Sequence, residues 1–144
     1  MPTPVEILLV EDNPADANLF LRKMKQAKVP YIMHVVQTGH EALDFVQRKG
    51  AYADSPALNL ILLDLNLPGI DGREVLKTLK SDPELRTIPV IVFTSSEAED
   101  DITQSYELSA NAYVRKPLDL AGYQTIVDAI DGFWLGVVRF KGRV

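Results

Sequence analysis

Asp64 closes the run Leu60-Ile61-Leu62-Leu63-Asp64, an apolar stretch that ends abruptly in a carboxylate. Glu11 and Asp12 end an earlier apolar stretch, Val5 to Val10, in the same way. Thr94, with Ser95 and Ser96, follows a third stretch, and Lys116-Pro117 follows a fourth. These residue types suit one chemistry. A positioned aspartate can be a nucleophile. Carboxylates brought close together repel, which raises the cost of ionising all of them. A hard divalent cation relieves that repulsion, and Mg²⁺ prefers such oxygen ligands plus water. A lysine ammonium is a mobile point charge able to hold a phosphoryl oxygen, and the Thr94 hydroxyl can donate a further hydrogen bond. Phosphoryl transfer depends mainly on positioning and charge neutralisation, so this set could carry it out.

The residues lie far apart in the chain and meet only if the fold gathers strand ends. Strand-like and helix-like segments alternate along the sequence. The expected strands are Val5–Val10, Ile32–Gln37, Leu58–Leu63, Ile88–Phe93 and Ala112–Arg115. The first, third and fourth are nearly continuous apolar runs, the pattern of strands covered on both faces, as in parallel sheets. Asn13 can cap a helix that starts at Pro14, where a missing N–H does no harm. Asp71-Gly72-Arg73-Glu74 and Ser96-Glu97-Ala98-Glu99 both have capping-box spacing, and Ser96 reads as an N-cap. Asp119 can cap the last helix. This alternation predicts an α/β fold with right-handed crossovers. In a parallel sheet the carboxyl ends of the strands share one edge, so Glu11, Asp12, Asp64, Thr94 and Lys116 should converge there. The stretch from Gly50 to Pro56 reads as a surface loop.

The chain has 144 residues, enough for one domain with little room for a second. No apolar run approaches the roughly 20 residues of a membrane span, and the N-terminus lacks the basic and apolar pattern of a signal peptide. The absence of cysteine excludes disulfides and thiolate metal sites and suits a cytoplasmic protein. A net charge of −5 argues against non-specific nucleic-acid binding, which needs Lys and Arg to displace counterions. His34 and His40 show no ligand spacing.

Four ordered motifs carry a resemblance: Val10-Glu11-Asp12-Asn13, Leu63 through Gly72, Val92-Phe93-Thr94-Ser95 and Arg115-Lys116-Pro117. Over about residues 5–135 the chain resembles the receiver domain of two-component response regulators. The resemblance implies a flavodoxin-like (βα)5 doubly wound sheet of five parallel strands in the order 2-1-3-4-5. It implies that Asp64 accepts phosphate from a sensor histidine kinase. It implies a Mg²⁺ site, or a Mn²⁺ site, formed by Glu11, Asp12, Asp64 and the backbone carbonyl of Asn66. Thr94 and Lys116 would bind the phosphoryl group, Tyr113 would be the aromatic switch beside Thr94, and the Lys116–Pro117 peptide would be cis. Further cues, among them Asp82-Pro83-Glu84-Leu85 and Asp131-Gly132-Phe133-Trp134-Leu135, are similar to the small receivers that serve cyanobacterial and bacterial phytochromes.

Two features point to a contact surface. Helix four, expected from Glu97 to Leu108, has few apolar anchors and so should be weakly held. The last helix and its tail carry Phe133, Trp134, Leu135 and Phe140, more large apolar groups than one helix face buries. Ile102, Tyr106, Phe133, Trp134 and Phe140 are therefore expected at a homodimer interface, with residues 133–144 as a C-terminal extension of a single receiver domain. Only Lys141-Gly142-Arg143-Val144 follow Phe140, so a stand-alone regulator acting through that surface is expected. Two rivals differ in class. An aspartyl-nucleophile phosphatase resembling haloacid-dehalogenase-like hydrolases would want a second aspartate where this chain has Asn66. An unphosphorylated docking module would not need Asp64 and Lys116.

Overall fold

The computed structural model describes residues 3–141. Strands β1 (Val5–Val10), β2 (Tyr31–Val36), β3 (Leu60–Leu63), β4 (Val90–Thr94) and β5 (Ala112–Arg115) form one sheet. All pairings are parallel and the order is 2-1-3-4-5. The helices are α1 (Pro14–Met24), α2 (Gly39–Gln47), α3 (Gly72–Ser81), α4 (Glu99–Glu107) and α5 (Leu120–Ala129). A π-type segment, Ile130–Leu135, prolongs α5.

The apolar runs become central strands. Every residue of β3 and β4 is buried, as is all of β1 but Glu6. Alternate side chains feed two cores, as the pleat requires. Leu8, Val10, Ile61, Leu63, Val90 and Val92 pack with α2 and α3 through Phe45, Val75, Leu76 and Leu79. Ile7, Leu9, Leu60, Leu62, Ile91 and Phe93 pack with α1 and α5 through Phe20, Met24, Tyr123 and Val127. The strands are thus clamped between helix layers, and their carboxyl ends are held in register.

The helix starts largely follow the capping signals. Asn13 Oδ1 accepts from the N–H groups of Ala15 and Asp16 at 2.9 and 3.2 Å, with Pro14 at the first helical position. Asp71 accepts from Arg73 N at 2.8 Å, and Asp119 from Gly122 N at 2.8 Å. Ser96 is an exception. Helix α4 starts after Ala98, which offers no side-chain cap. The Ser96 hydroxyl is drawn instead to Asp101, donating to its carboxylate at 2.5 Å.

Two further expectations need correction. No cis peptide bond occurs among the described residues, so Lys116–Pro117 is trans; trans is the lower-energy isomer even before proline. Phe140, expected at an interface, is only 8% exposed and packs with the α1 and α5 core. The π-type segment explains how. Its wider turn breaks the single-face stripe and directs Leu135, 7% exposed, inward ahead of Phe140. Residues 142–144 of the proposed extension lie outside the described residues.

The loop after α2 is a surface excursion, as its composition suggests. It forms a short 3₁₀ turn, Gly50–Tyr52, anchored to α2 by Tyr52, whose hydroxyl donates to Glu41 at 3.1 Å. His34 is structural: its Nε2 lies 2.6 Å from Glu6 Oε2 and its ring packs at a tilt against Phe45, centroids 5.1 Å apart. Among the described residues no helix is long and apolar enough to cross a membrane.

Candidate phosphoryl-transfer site

The sheet register assembles the site. Val10 pairs with Leu63, and Leu63 with Val92. Glu11 and Asp64 are the next residues of their strands, so they emerge side by side. Thr94 pairs with Arg115, and Lys116 N donates to Thr94 O at 2.7 Å, which seats Lys116 on the same edge. The chain then turns sharply after Asp64 so that α3 can pack beneath it. Gly72 makes that turn possible: a Cβ there would sit 2.2 Å from Asp64 O and 2.6 Å from Leu65 Cα.

Asp64 lies at the centre, 4% exposed. Its Oδ1 accepts from Thr94 Oγ1 at 2.8 Å and from Asn66 N at 3.2 Å. Its Oδ2 accepts from Lys116 Nζ at 2.8 Å. The same ammonium lies 2.5 Å from Glu11 Oε1 and 3.1 Å from Asp16 Oδ2. Lysine has three N–H donors, and here each carboxylate can take one. Glu11 is buried too, and its other oxygen accepts from Asn13 N at 3.2 Å.

Electrostatics follow from this crowding. Burial pushes the Glu11 carboxyl up to about 7; the Lys116 hydrogen bond opposes the rise and the Asp64 charge adds to it. Burial disfavours the Lys116 ammonium, but hydrogen bonds to Asp64 and Glu11 outweigh it and hold the lysine above its ordinary range. Lys116 therefore stays charged. Ligand oxygens of Glu11, Asp12 and Asp64 all lie within 4.8 Å of one another, with Asp12 exposed at the mouth. A hard divalent cation fits this donor set: it consists of carboxylate oxygens, and the group carries more negative charge than one ammonium balances.

Glu11, Asp12, Asp64, Thr94 and Lys116, picked from the sequence, thus come together. Tyr113 stands one step away, half-buried, with its hydroxyl donating to the Ser96 carbonyl at 2.9 Å. Ile102, Tyr106, Phe133 and Trp134 lie outside this site, with Tyr106 and Phe133 exposed and Ile102 and Trp134 partly buried.

Sequence reasoning missed two groups. Asp16 reaches Lys116 from the first turn of α1; the signal available was an acidic residue on the turn leaving the site edge, since helical side chains lean toward the N-terminus. Arg73 was missed as well. It is paired with Asp71 at 3.0 Å and with Asp101, linking the starts of α3 and α4. Nothing local in the sequence marks that pair, whose partners lie 28 residues apart.

Comparison with known proteins agrees with this geometry. The family model for the response regulator receiver domain matches residues 7–128. Response regulator Rcp1 of Synechocystis sp. is 45% identical over 135 residues, covering 94% of this chain and 92% of Rcp1. The crystal structure of Mn²⁺-bound Rcp1 superposes with a TM-score of 0.92 at 44% identity, covering 96% of this chain and all of that one. The structure of the phosphorylated cyanobacterial phytochrome response regulator RcpA gives a TM-score of 0.93 at 43% identity, over 97% of this chain and all of that one.

Proposed function

Because the chain belongs to the receiver-domain family of response regulators, whose partners are sensor kinases, we propose that Asp64 is its phosphoacceptor. The observation that carries this is the placement of Lys116 Nζ against both Asp64 and Glu11, with Thr94 Oγ1 on the other Asp64 oxygen. An attacking Asp64 oxygen forms the new P–O bond as the P–N bond of a kinase phosphohistidine breaks. The histidine nitrogen keeps the electron pair.

The remaining residues have distinct tasks. Lys116 gives an ammonium to a phosphoryl oxygen, and Thr94 turns its hydroxyl from Asp64 toward another. Glu11, Asp12 and Asp64, with the backbone carbonyl of Asn66, would hold Mg²⁺ or Mn²⁺. When bound, that cation supplies positive charge to the carboxylates and to the transferring group. As Thr94 moves, space opens beside β4, and Tyr113 can leave the Ser96 carbonyl to occupy it. The domain also promotes its own phosphorylation from small donors and its own dephosphorylation.

Similarity to RcpA supports a phytochrome as the kinase. Output through a homodimer is supported by the exposed side chains of Tyr106, Phe133 and Val137, at 50%, 55% and 64%. Tyr106 lies on α4 beside the Tyr113 switch, its hydroxyl accepting from Tyr113 N at 3.1 Å, and Phe133 and Val137 lie beyond the end of α5.

Acetyl phosphate with Mg²⁺, read by intact mass, tests the acceptor directly. Wild type should gain one phosphoryl group and Asp64→Asn none, with labelling of Asp12→Ala greatly reduced. Undiminished labelling of Asp64→Asn would overturn the assignment.

A further inference from the structure

We infer that Asp16 is a positioning residue for the phosphoryl chemistry: it is a second station for the Lys116 ammonium, and its hold on that ammonium opposes the phosphoryl group. The inference rests on the phosphoacceptor reading of Asp64.

The geometry separates the three carboxylates around Lys116. Glu11 and Asp64 belong to the acidic cluster that suits a divalent cation; Asp16 does not. Glu11 and Asp64 are buried, whereas the Asp16 side chain is 33% exposed and comes from α1 rather than from a strand end. Glu11 and Asp64 would hold such a cation, whose positive charge beside the ammonium would weaken the two inner bonds of Lys116. Asp16, 3.1 Å from Nζ, is then the carboxylate left to hold Lys116. The lysine is 6% exposed and has little room to leave for solvent. Asp16 thereby keeps the ammonium within reach of Asp64 while the acceptor is unmodified.

Phosphorylation reverses the preference. A phosphoryl oxygen on Asp64 competes with Asp16 for the same N–H donors. The strength of the Asp16–Lys116 pair is then part of the cost of engaging the phosphoryl group. An isosteric amide at this position still accepts a hydrogen bond but gives up the charge, so it releases Lys116 more readily.

Beryllofluoride, a tetrahedral mimic of a phosphoryl group on a carboxylate, provides the test. It is titrated into the full chain at saturating Mg²⁺ and followed by fluorine NMR. Asp16→Asn should bind it about three- to ten-fold more tightly than wild type, the scale of one partly exposed ion pair. The double variant Ala15→Asp/Asp16→Ala keeps the charge on the first turn of α1 but moves it to an exposed neighbour. It should also bind more tightly. If the double variant behaves as wild type while Asp16→Asn gains affinity, general charge repulsion is responsible and the inference falls. Unchanged or weaker binding by Asp16→Asn overturns it as well. These outcomes leave the acceptor assignment intact, whereas a wild-type protein that binds no beryllofluoride would bring down that assignment and this inference with it.

Discussion

Lys116 replaces with one ammonium much of the charge that a cation would bring. It sits among buried carboxylates, and removing it leaves Glu11 and Asp64, 2% and 4% exposed, facing each other uncompensated. Taking one partner from a buried ion pair typically costs on the order of 3–5 kcal/mol. Lys116→Ala should therefore lose stability of that order in a chelator, and regain much of it in millimolar Mg²⁺. Urea unfolding in the two buffers checks this. Equal loss in both would mean that the cation does not enter the Glu11, Asp12 and Asp64 cluster. In the folded, Mg²⁺-loaded variant, phosphorylation should still occur, yet its effect on the contact surface should be much reduced, because no ammonium links the phosphoryl group to β5.

Helix α4 is held by polar ties rather than by a core. Ser105 is its one buried residue. Asp101, at the first turn, accepts from Ser96 and Arg73, and the Tyr113 hydroxyl donates to the Ser96 carbonyl. Such an element is suited to shift when its ties change. Arg73→Ala should speed hydrogen exchange across residues 99–107 while changing the global unfolding free energy by less than about 1 kcal/mol. Its pH signature has a defined sign. The Ser96 hydroxyl, then the Arg73 guanidinium, hold the Asp101 carboxyl below its ordinary value. That stabilisation is complete above the ordinary aspartate pKa and is lost as pH falls through the depressed one. Protection of α4 should thus fade on the acid side, and fade less steeply in Arg73→Ala, as exchange measured from neutral to acid pH would reveal. Gly72 acts on the neighbouring element. Gly72→Ala forces a methyl group against the Asp64 carbonyl, and overpacking of this kind costs on the order of 1–3 kcal/mol. It should also slow acetyl phosphate labelling by displacing Asp64.

At the scale of the molecule, the exposed apolar groups decide which variants test association. Phe133 is 55% exposed and meets Trp134 edge-on at 6.0 Å. Phe133→Asp should leave folding within about 1 kcal/mol of wild type and lower dimer affinity at least ten-fold. Sedimentation with and without beryllofluoride measures it. A wild type that remains monomeric at high micromolar concentration in both states would refute the dimer. Phe140 cannot serve as such a probe, since it is buried. Phe140→Asp would put an unpaired carboxylate into the α1 and α5 core and should unfold the protein before it informs on association. The C-terminal segment has a structural duty too: Asp131 Oδ1 accepts from the N–H groups of Lys28 and Val29 at 3.1 and 3.2 Å, fastening the end of α5 to the loop before β2.

Much of this architecture is set by local sequence. Continuous apolar runs mark β1, β3 and β4 because a strand covered on both faces has no polar side to show. Asn13-Pro14, Asp71 and Asp119 mark helix starts because the free N–H groups there need an acceptor. Once those runs are strands of a parallel sheet, convergence of Glu11, Asp12, Asp64, Thr94 and Lys116 follows from topology. The bounds of β2, β3 and β4 shift from expectation by one or two residues, since ladder pairing rather than hydropathy ends a strand. Other features were decided only in three dimensions. Whether Ser96 caps α4 depends on Asp101, and Asp101 on Arg73, a competition among hydrogen-bond partners from separate elements. Burial of Phe140 depends on the π-type segment that turns Leu135 and the chain beyond it toward the core. Asp16 joins Lys116 across 100 residues because α1 and β5 meet at one sheet edge. Composition and spacing select the residues able to hold a phosphoryl group; which carboxylate competes for the lysine is a matter of a few ångströms, which only packing determines.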